Sequence, residues 1–499
     1  MMRLRGKHCS AGLIRANPLA DATVPNRGPA TTDWIGIVAI LAATFLYNRW
    51  LLDARVFFYA DDWTWLYYAE FLPWREYLRV FPTEIYNDRP VGAAFIKTLY
   101  QIFGLNHFAF QSVLLSLHAI NCVLIYTIAA RYVGRSGALL TALLGAMWFS
   151  ALTAVGWPAA IFDLLGATLC FSTLLLRQVA IRSSSSIGYD LAGATCYLLA
   201  VRTKEFALGL VVLLVLMNLI VERKSVRVTL KELLPYGVVF VVYAFRYARL
   251  MATAPPASGT AYALDFSGST VLSSLGFQVS TAFYGEFIGV IGVTSVIVGL
   301  AAALSTAGAE ARRVAAFGFA GFVIMLGPTL LLATNSNTAY HALYLYTPHF
   351  FLALVIGSLF GRRILPTLVA VAISLTVLVP PNWVHQRQNV VNFYLAMGEV
   401  SRAEFFSAVN LLAPLPKGAT VFISGVEPFL NPFANGPGKS LAIAFKDRTL
   451  AVVVELPDTE LLAKFCEEPG PKRFLRFAGK QGSEATAEMG TRCDRRKGG

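Results

Sequence analysis

Residues 59–65, Tyr-Ala-Asp-Asp-Trp-Thr-Trp, and residues 86–91, Tyr-Asn-Asp-Arg-Pro-Val, bracket a polar, aromatic-rich loop that follows the first long apolar run. The loop opens with adjacent carboxylates at Asp61 and Asp62. Neighbouring carboxylates repel each other, so a pair kept at this position needs a physical reason. We interpret the loop as an active site at a membrane surface, which the rest of the chain holds in place.

The composition excludes an ordinary soluble domain. Of the 499 residues, 56% are hydrophobic and 14% are charged, and the mean hydropathy is +0.58. A soluble domain carries about 25% charged residues, so this chain has too few to cover a surface that faces water. Apolar stretches of about 18 or more residues recur along it, which predicts an all-α polytopic membrane protein.

We predict about eleven transmembrane helices. The predicted spans are 34–52, 108–130, 137–156, 158–177, 188–203, 206–221, 233–250, 284–304, 314–333, 343–360 and 364–381. With this number of spans, the Lys and Arg clusters of six connections fall on one side, which the positive-inside rule makes cytoplasmic. The sequence therefore predicts a multi-pass membrane protein with the N-terminus cytoplasmic and the C-terminus extracytoplasmic. Its short loops and its lack of eukaryotic sorting signals indicate a bacterial inner membrane. The net charge of +13 reflects these short loops and predicts no nucleic-acid partner.

Three regions follow from this pattern. Residues 1–33 are predicted to be a disordered basic cytoplasmic tail, and residues 34–381 the membrane core with an outer loop at 53–106. Within that loop, Tyr68–Val80 and Val91–Phe103 are predicted to be amphipathic helices on the membrane surface. Residues 382–499 are predicted to be a small extracytoplasmic α/β domain with a disordered end.

The C-terminal domain carries two strand-like segments, Thr420–Gly425 and Leu450–Glu455, separated by turns rich in Pro and Gly. Cys466 and Cys493 lie in the same region, and an extracytoplasmic location would allow them to form a disulfide.

Asp61 and Asp62 allow three interpretations. One carboxylate can accept a proton from a hydroxyl group, since a like-charged neighbour raises the pKa of one member of a pair. The pair can also hold a divalent cation such as Mg²⁺ or Mn²⁺ through oxygen ligands. The structural alternative is a helix cap followed by an acid in the first turn of a helix that begins near Trp63.

Several basic residues at the predicted outer face suit an anionic headgroup. Arg89 is a natural partner for phosphate, whereas capping of the next helix explains Asp88 well. Lys204-Glu205 lies where a span reaches the outer side, and charges at such a boundary can also be interfacial anchors. Arg246 ends a span on the outer side, against the general charge asymmetry, which slightly favours phosphate binding.

Other polar residues lie within or beside predicted spans. His118 and Asp163 fall inside spans, where ionisable groups are costly and often functional. A hydrogen bond between helices is the simpler account of His118. His341 and Tyr346 flank another outer helix end, where an aromatic belt at the membrane interface is the simpler account of the tyrosine.

The order of these features resembles the GT-C superfamily of membrane glycosyltransferases, in particular its protein O-mannosyltransferase-like branch and bacterial relatives that use polyprenyl-phosphate sugars. The resemblance covers about residues 34–365. It rests on Tyr59-Ala60-Asp61-Asp62, Asp88-Arg89-Pro90-Val91, Phe103-Gly104-Leu105-Asn106-His107, Leu117-His118-Ala119-Ile120-Asn121, Trp157-Pro158, Asp163-Leu164-Leu165, Lys204-Glu205 and Leu343-Tyr344-Leu345-Tyr346-Thr347-Pro348.

This resemblance implies a polyprenyl-phosphate sugar donor and an outer acceptor, which would be a glycan, a lipid or a protein. The implied reaction inverts the anomeric centre, with Asp61 as base and Asp62 supporting it or binding a cation. Arg89, Lys204 and Arg246 would stabilise the leaving phosphate. The chain departs from the family pattern at Trp157, where a His is common, and at His341-Ala342, where an Arg is common.

Two alternatives from other classes remain at this stage. A transporter or flippase of lipid-linked sugars would concentrate ionisable residues at mid-membrane, whereas here they cluster at predicted outer helix ends. A non-catalytic membrane scaffold would tolerate the loss of Asp61.

Overall fold

A computed structural model describes residues 33–79, 89–183, 186–253, 265–282, 304–305, 307–332, 343–360, 381–426, 431–433, 439–454 and 470–487. Across these residues the chain is mostly helical, with one small sheet near the C-terminus. Some sequence predictions fall outside the described residues. These are the tail before Asp33, most of the spans 284–304 and 364–381, and Asp88, His341, Cys466 and Cys493.

The helices follow the apolar runs of the sequence. The first five are α1 (Trp34–Asn48), α2 (Asp62–Phe71), α3 (Trp74–Leu78), α4 (Pro90–Phe103) and α5 (His107–Met147). Next come α6 (Phe149–Gly156), α7 (Ile161–Arg182), α8 (Ser186–Val201), α9 (Leu210–Leu216), α10 (Val226–Glu232), α11 (Leu234–Thr253) and α12 (Gly268–Ala282). The last ones are α13 (Ala309–Leu330), α14 (Tyr346–Phe360), α15 (Pro381–Leu412) and α16 (Lys439–Phe445).

Local signals in the sequence place several helix starts. The Asp33 side chain accepts a hydrogen bond from the Gly36 N–H and caps α1, and Asn106 caps α5 in the same way. Pro90 occupies the first turn of α4, where its missing N–H costs nothing. The outer loop differs from the prediction, because its first helix runs from Asp62 to Phe71 and ends before Pro73.

Helix α5 is a hairpin folded at Gly134. This glycine has φ 79° and ψ 173°, which breaks the helical path. His118 Nε2 lies 3.2 Å from the carbonyl oxygen of Ala146, and Gln111 Nε2 donates to the carbonyl of Gly156. Both contacts join residues on opposite sides of Gly134, so the two predicted spans 108–130 and 137–156 pack antiparallel.

Four described helical segments are long and apolar enough to cross a membrane: Trp34–Leu52, His107–Met147, Pro158–Arg182 and Ala309–Leu330. A fifth candidate is the pair Val226–Glu232 and Leu234–Leu250, which is bent by 70°. The prediction of a mostly helical chain with apolar helices of membrane-spanning length is therefore confirmed. The total of eleven spans stays a prediction.

The residues that bear charge separate towards two ends of the bundle. At one end, Arg177 donates two hydrogen bonds to Asp190 and also contacts Glu232, which Lys224 binds at 2.7 Å. These residues come from connections that the sequence placed on the cytoplasmic side. The other end gathers connections that the sequence placed outside, including the loop 53–106. The orientation of the two ends in a membrane remains a prediction.

The C-terminal region forms a mixed sheet covered by α15. Its strands are β1 (Thr420–Ser424), β2 (Ala451–Val454), β3 (Lys472–Ala478) and β4 (Gln481–Glu484), in the order β2-β1-β3-β4. Strand β1 runs parallel to β2 and β3, whereas β4 is antiparallel to β3. The first two strands coincide with the two segments predicted from sequence. A second apolar core lies between this sheet and α15.

Helix α15 packs directly onto the segment that leads into α2. A Cβ added at Gly398 would lie 2.3 Å from the carbonyl oxygen of Arg55, so only glycine permits this approach of the two backbones. Phe405 stacks on Trp63 with ring centroids 4.8 Å apart. The C-terminal region is thus part of the wall around the outer loop.

Lys97 of α4 holds the C-terminal end of α2 in place. Its buried ammonium donates to the carbonyls of Ala69 and Leu72, which the end of a helix leaves without partners, and lies over the rings of Trp74 and Tyr77. Lys97→Met keeps the apolar stem but removes both charge-assisted bonds. We expect it to lower the free energy of unfolding by about 1–3 kcal/mol.

The measurement is the melting temperature of the purified protein in detergent. Gln101→Met, on an exposed position of the same helix, is the matched control and should melt like the wild type. Equal melting temperatures for both variants would show that Lys97 does not hold α2.

Candidate active site

Asp61 and Asp62 have different surroundings although they are neighbours. The Asp62 carboxylate is buried and accepts hydrogen bonds from the Tyr59 N–H at 3.0 Å and the Ala159 N–H at 2.7 Å. Asp61 is half-buried, and its carboxylate accepts no hydrogen bond from any described residue. Asp62 is therefore used to hold the backbone, whereas Asp61 remains available.

The backbone around the pair is held in an uncommon shape. Ala60 has φ 49°, in the left-handed region that residues other than glycine rarely adopt. The Tyr59 ring stacks on Trp157 with centroids 5.9 Å apart, next to the Ala159 N–H that binds Asp62. The acidic loop is thus fastened to the Trp157-Pro158 segment, which the sequence had marked only through its resemblance.

Burial and nearby cations act in opposite directions on Asp61. Burial raises the pKa of the Asp61 carboxyl, while Lys439 and Arg89 lower it. Burial raises the pKa of Asp62 as well, and its two N–H donors oppose that rise. A carboxylate with a raised pKa and without hydrogen-bond donors is a better proton acceptor than an ordinary exposed one.

Arg89 and Glu205 form a two-point ion pair close to Asp61. The Arg89 Nε and Nη2 atoms donate to the two carboxylate oxygens of Glu205 at 3.1 and 2.7 Å. The guanidinium also lies over the Phe162 ring, with 5.8 Å to its centroid. This geometry joins the start of α4 to the turn before α9 and holds the cation in a fixed orientation.

Lys204 and Asp163 form a second, more deeply buried pair. The Lys204 ammonium donates to Asp163 Oδ2 at 2.6 Å, and the two side chains are 7% and 4% exposed. Lys204 also lies over the Tyr344 ring. Asp163 interacts electrostatically with Arg89 and Glu205, so the two pairs form one network. The structure therefore brings together the Asp61-Asp62 loop, Arg89, Asp163, Lys204 and Glu205.

The sequence analysis missed Lys439, which reaches this site from the C-terminal region. Its Nζ donates to Thr64 Oγ1 at 3.2 Å and lies 5.5 Å from the centroid of the Tyr68 ring. Burial lowers the pKa of Lys439, and Asp61 opposes that effect. A lysine in a segment rich in Pro and Gly, far along the chain, carries no sequence signal for this position.

His118 and Tyr346 belong to a hydrogen-bond network inside the bundle. His118 Nδ1 lies 2.8 Å from the Tyr346 hydroxyl, which also accepts a hydrogen bond from Asn121 at 3.0 Å. Asn121 donates in addition to the carbonyl of Leu164, directly after Asp163. This network joins α5, α7 and α14. It fits the simpler account of His118 as a link between helices.

Arg246 lies half-buried near the C-terminal end of α11. The next residue, Tyr247, interacts electrostatically with Arg89 and donates to the carbonyl of Val201. Its neighbour Tyr247 thus links α11 to the site, and the phosphate contact of Arg246 stays a prediction.

The predicted cation site finds limited support in the side chains. Each oxygen of Asp62 already accepts a backbone N–H, and no group of three His, Cys, Asp or Glu side chains placed to hold a metal occurs in the described part of the chain. The Mg²⁺ or Mn²⁺ ion stays a prediction.

Comparison with solved structures confirms the predicted fold, because two structures of one protein superpose along most of this chain. ArnT from Cupriavidus metallidurans bound to undecaprenyl phosphate superposes with a TM-score of 0.52 at 14% identity, covering 90% of this chain and 93% of that chain. The apo state of that protein gives 0.51 at 13% identity, with 89% and 92% covered. The Archaeoglobus fulgidus oligosaccharyltransferase in complex with Zn and sulfate gives 0.48 at 12% identity, with 88% and 67% covered, and adds nothing to the assignment.

No protein-family model matches the chain, and no curated protein sequence matches it either.

Proposed function

We propose that the protein is a membrane glycosyltransferase that moves a sugar from a polyprenyl-phosphate donor to an acceptor on the outer side of a bacterial inner membrane. The ArnT fold, seen with undecaprenyl phosphate in that protein, supports a lipid-linked donor. The acceptor is a cell-envelope glycan, a lipid or a protein.

The observation that carries the proposal is the contrast between the two adjacent carboxylates. Asp62 is occupied by two backbone donors, whereas Asp61 accepts no hydrogen bond from the described residues and lies in the field of Arg89 and Lys439. A half-buried carboxylate that accepts no hydrogen bond from the described residues is open to an incoming group, as a proton acceptor needs to be. This arrangement suits a site that accepts a proton next to an anionic leaving group.

The mechanism follows from these surroundings. Asp61 takes the proton from the acceptor hydroxyl or amine as that group attacks the anomeric carbon. The bond from this carbon to the phosphate oxygen breaks on the opposite face, so the configuration inverts, and the bonding electrons leave with the lipid phosphate. Arg89 is fixed by Glu205 and stabilises the charge that develops there without reorganising.

Lys204 takes a supporting role in this proposal. Its close contact with Asp163 and its burial favour a positioning role over direct phosphate contact. The pair anchors the turn that presents Glu205, and Glu205 in turn orients Arg89.

The test is sugar transfer by the purified protein in detergent, with a panel of radiolabelled polyprenyl-phosphate sugars and a crude envelope acceptor. Consumption of one donor with label appearing in the acceptor would support the transferase and identify the sugar. Loss of transfer in EDTA, restored by Mg²⁺ or Mn²⁺, would establish the predicted cation.

A different outcome would identify another class. If well-folded protein moves a donor across liposomes without consuming it in the presence of acceptor, the protein is a flippase. If it neither binds nor consumes any donor of the panel, the transferase proposal is wrong.

A further inference from the structure

Lys439 is the cation that the C-terminal region places beside Asp61. It begins α16, which packs against α2, and its ammonium donates to Thr64 Oγ1 and lies over the rings of Tyr67 and Tyr68. Asp61 precedes α2 and has helical dihedral angles, and Thr64 and Tyr68 follow it by three and seven residues, so all three lie on one face. Lys439 therefore lies over the face that carries the proposed base.

The three cations of the site differ in their partners. Arg89 is bound by both oxygens of Glu205, and Lys204 is bound by Asp163. In the described part of the chain, Lys439 makes no ion pair with a carboxylate within 4.0 Å; its partners are one neutral hydroxyl and two aromatic rings. Its charge is thus the least neutralised of the three by direct contacts.

From this contrast we infer that Lys439 binds the phosphate of the polyprenyl-phosphate donor and that the C-terminal domain completes the active site. This inference rests on the proposed function. Hydroxyl and ring contacts hold an ammonium in place while leaving its charge available to an incoming anion. A phosphate group then gains a charge-assisted hydrogen bond without first displacing a carboxylate.

The inference also gives the C-terminal region a function. Its helix α15 is packed against the loop before α2 through Gly398 and Phe405, so the position of α16 is fixed relative to the membrane core. A domain that only decorated the protein would not need to place a half-buried lysine over the catalytic helix.

The experiment measures equilibrium binding of polyprenyl phosphate to the full-length protein in detergent, with the matching polyprenol, which lacks phosphate, as the reference ligand. The variants are Lys439→Met, which keeps the apolar stem over the two rings, and Lys439→Arg, which keeps the charge. Lys446→Met is the matched control, since it removes an exposed lysine just after the same helix.

We expect Lys439→Met to weaken binding of polyprenyl phosphate by about tenfold and to leave binding of polyprenol unchanged. Lys439→Arg should recover most of the affinity, and Lys446→Met should bind like the wild type. In transfer assays, Lys439→Met should raise the KM for the donor.

Two results overturn the inference. In the first, Lys439→Met melts like the wild type and binds polyprenyl phosphate equally well. In the second, Lys439→Met loses affinity for polyprenyl phosphate and for polyprenol alike. Lys439 would then support the part of the site that binds the lipid chain and would not bind the phosphate. Failure of the proposed function is distinct, because the wild-type protein would then transfer no sugar from any donor, whatever its affinity for polyprenyl phosphate.

Discussion

Asp61→Asn is expected to lower the rate of sugar transfer by a factor of about 10²–10⁴, the usual contribution of a general base. Asparagine has nearly the same shape as aspartate but cannot accept the proton of the attacking group. The Asp61 carboxylate makes no hydrogen bond to the described residues, so the substitution breaks no structural contact. We therefore expect the free energy of unfolding to change by no more than about 0.5 kcal/mol.

Asp62→Asn is the matched control, because it makes the same chemical change at the neighbouring residue. An asparagine side chain offers one oxygen, whereas Asp62 uses two to accept the N–H groups of Tyr59 and Ala159. One buried donor is left without a partner, which costs about 1–3 kcal/mol. This variant should lose stability, and its activity should fall because the acidic loop is no longer fastened.

The two measurements are initial rates of transfer at saturating donor and melting temperatures in detergent. The thiols of Cys122 and Cys170 are buried, so a thiol-reactive dye reports unfolding as they become exposed. If Asp61→Asn keeps the wild-type rate, the assignment of the base is wrong. If the two variants lose stability equally, the contrast between the carboxylates is wrong.

Local patterns predicted much of this architecture. The apolar runs gave the positions of α1, α7, α11 and α13, and Pro90 gave the start of α4, because these features depend on residues close in sequence. The grouping of the acidic loop with Arg89 and Lys204 followed from placing connections on two sides of a membrane. That argument needs only the number of spans and no detail of packing.

The partners within the site could not be predicted, because they join residues far apart in the chain. Nothing in the sequence tells that Glu205 binds Arg89 across 116 positions, or that Asp62 binds the Ala159 N–H across 97. The position of the C-terminal region was also beyond reach. It depends on the fit between Gly398 and the backbone of residues 55–57, which has no local signal.

The pair Lys204–Asp163 supports the second large effect. Lys204→Met removes the ion-pair partner of Asp163. Because Asp163 is only 3% exposed, the substitution leaves a buried carboxylate without a countercharge. Breaking a buried pair on one side costs about 3–5 kcal/mol, since the remaining charge is not compensated. We expect a large fall in melting temperature and a matching loss of folded protein in the membrane fraction.

The double variant Lys204→Met/Asp163→Asn separates stability from catalysis. Removing both charges avoids the uncompensated carboxylate, so the melting temperature should return close to that of the wild type. If the only role of Lys204 is to neutralise the buried Asp163 carboxylate, most of the transfer activity should return with the stability. If the double variant is stable but its KM for the donor stays raised about tenfold or more, then Lys204 contacts the donor phosphate directly. In that case the ion pair between Lys204 and Asp163 exists only in the protein without substrate. The Lys204 ammonium must leave Asp163 when the donor binds.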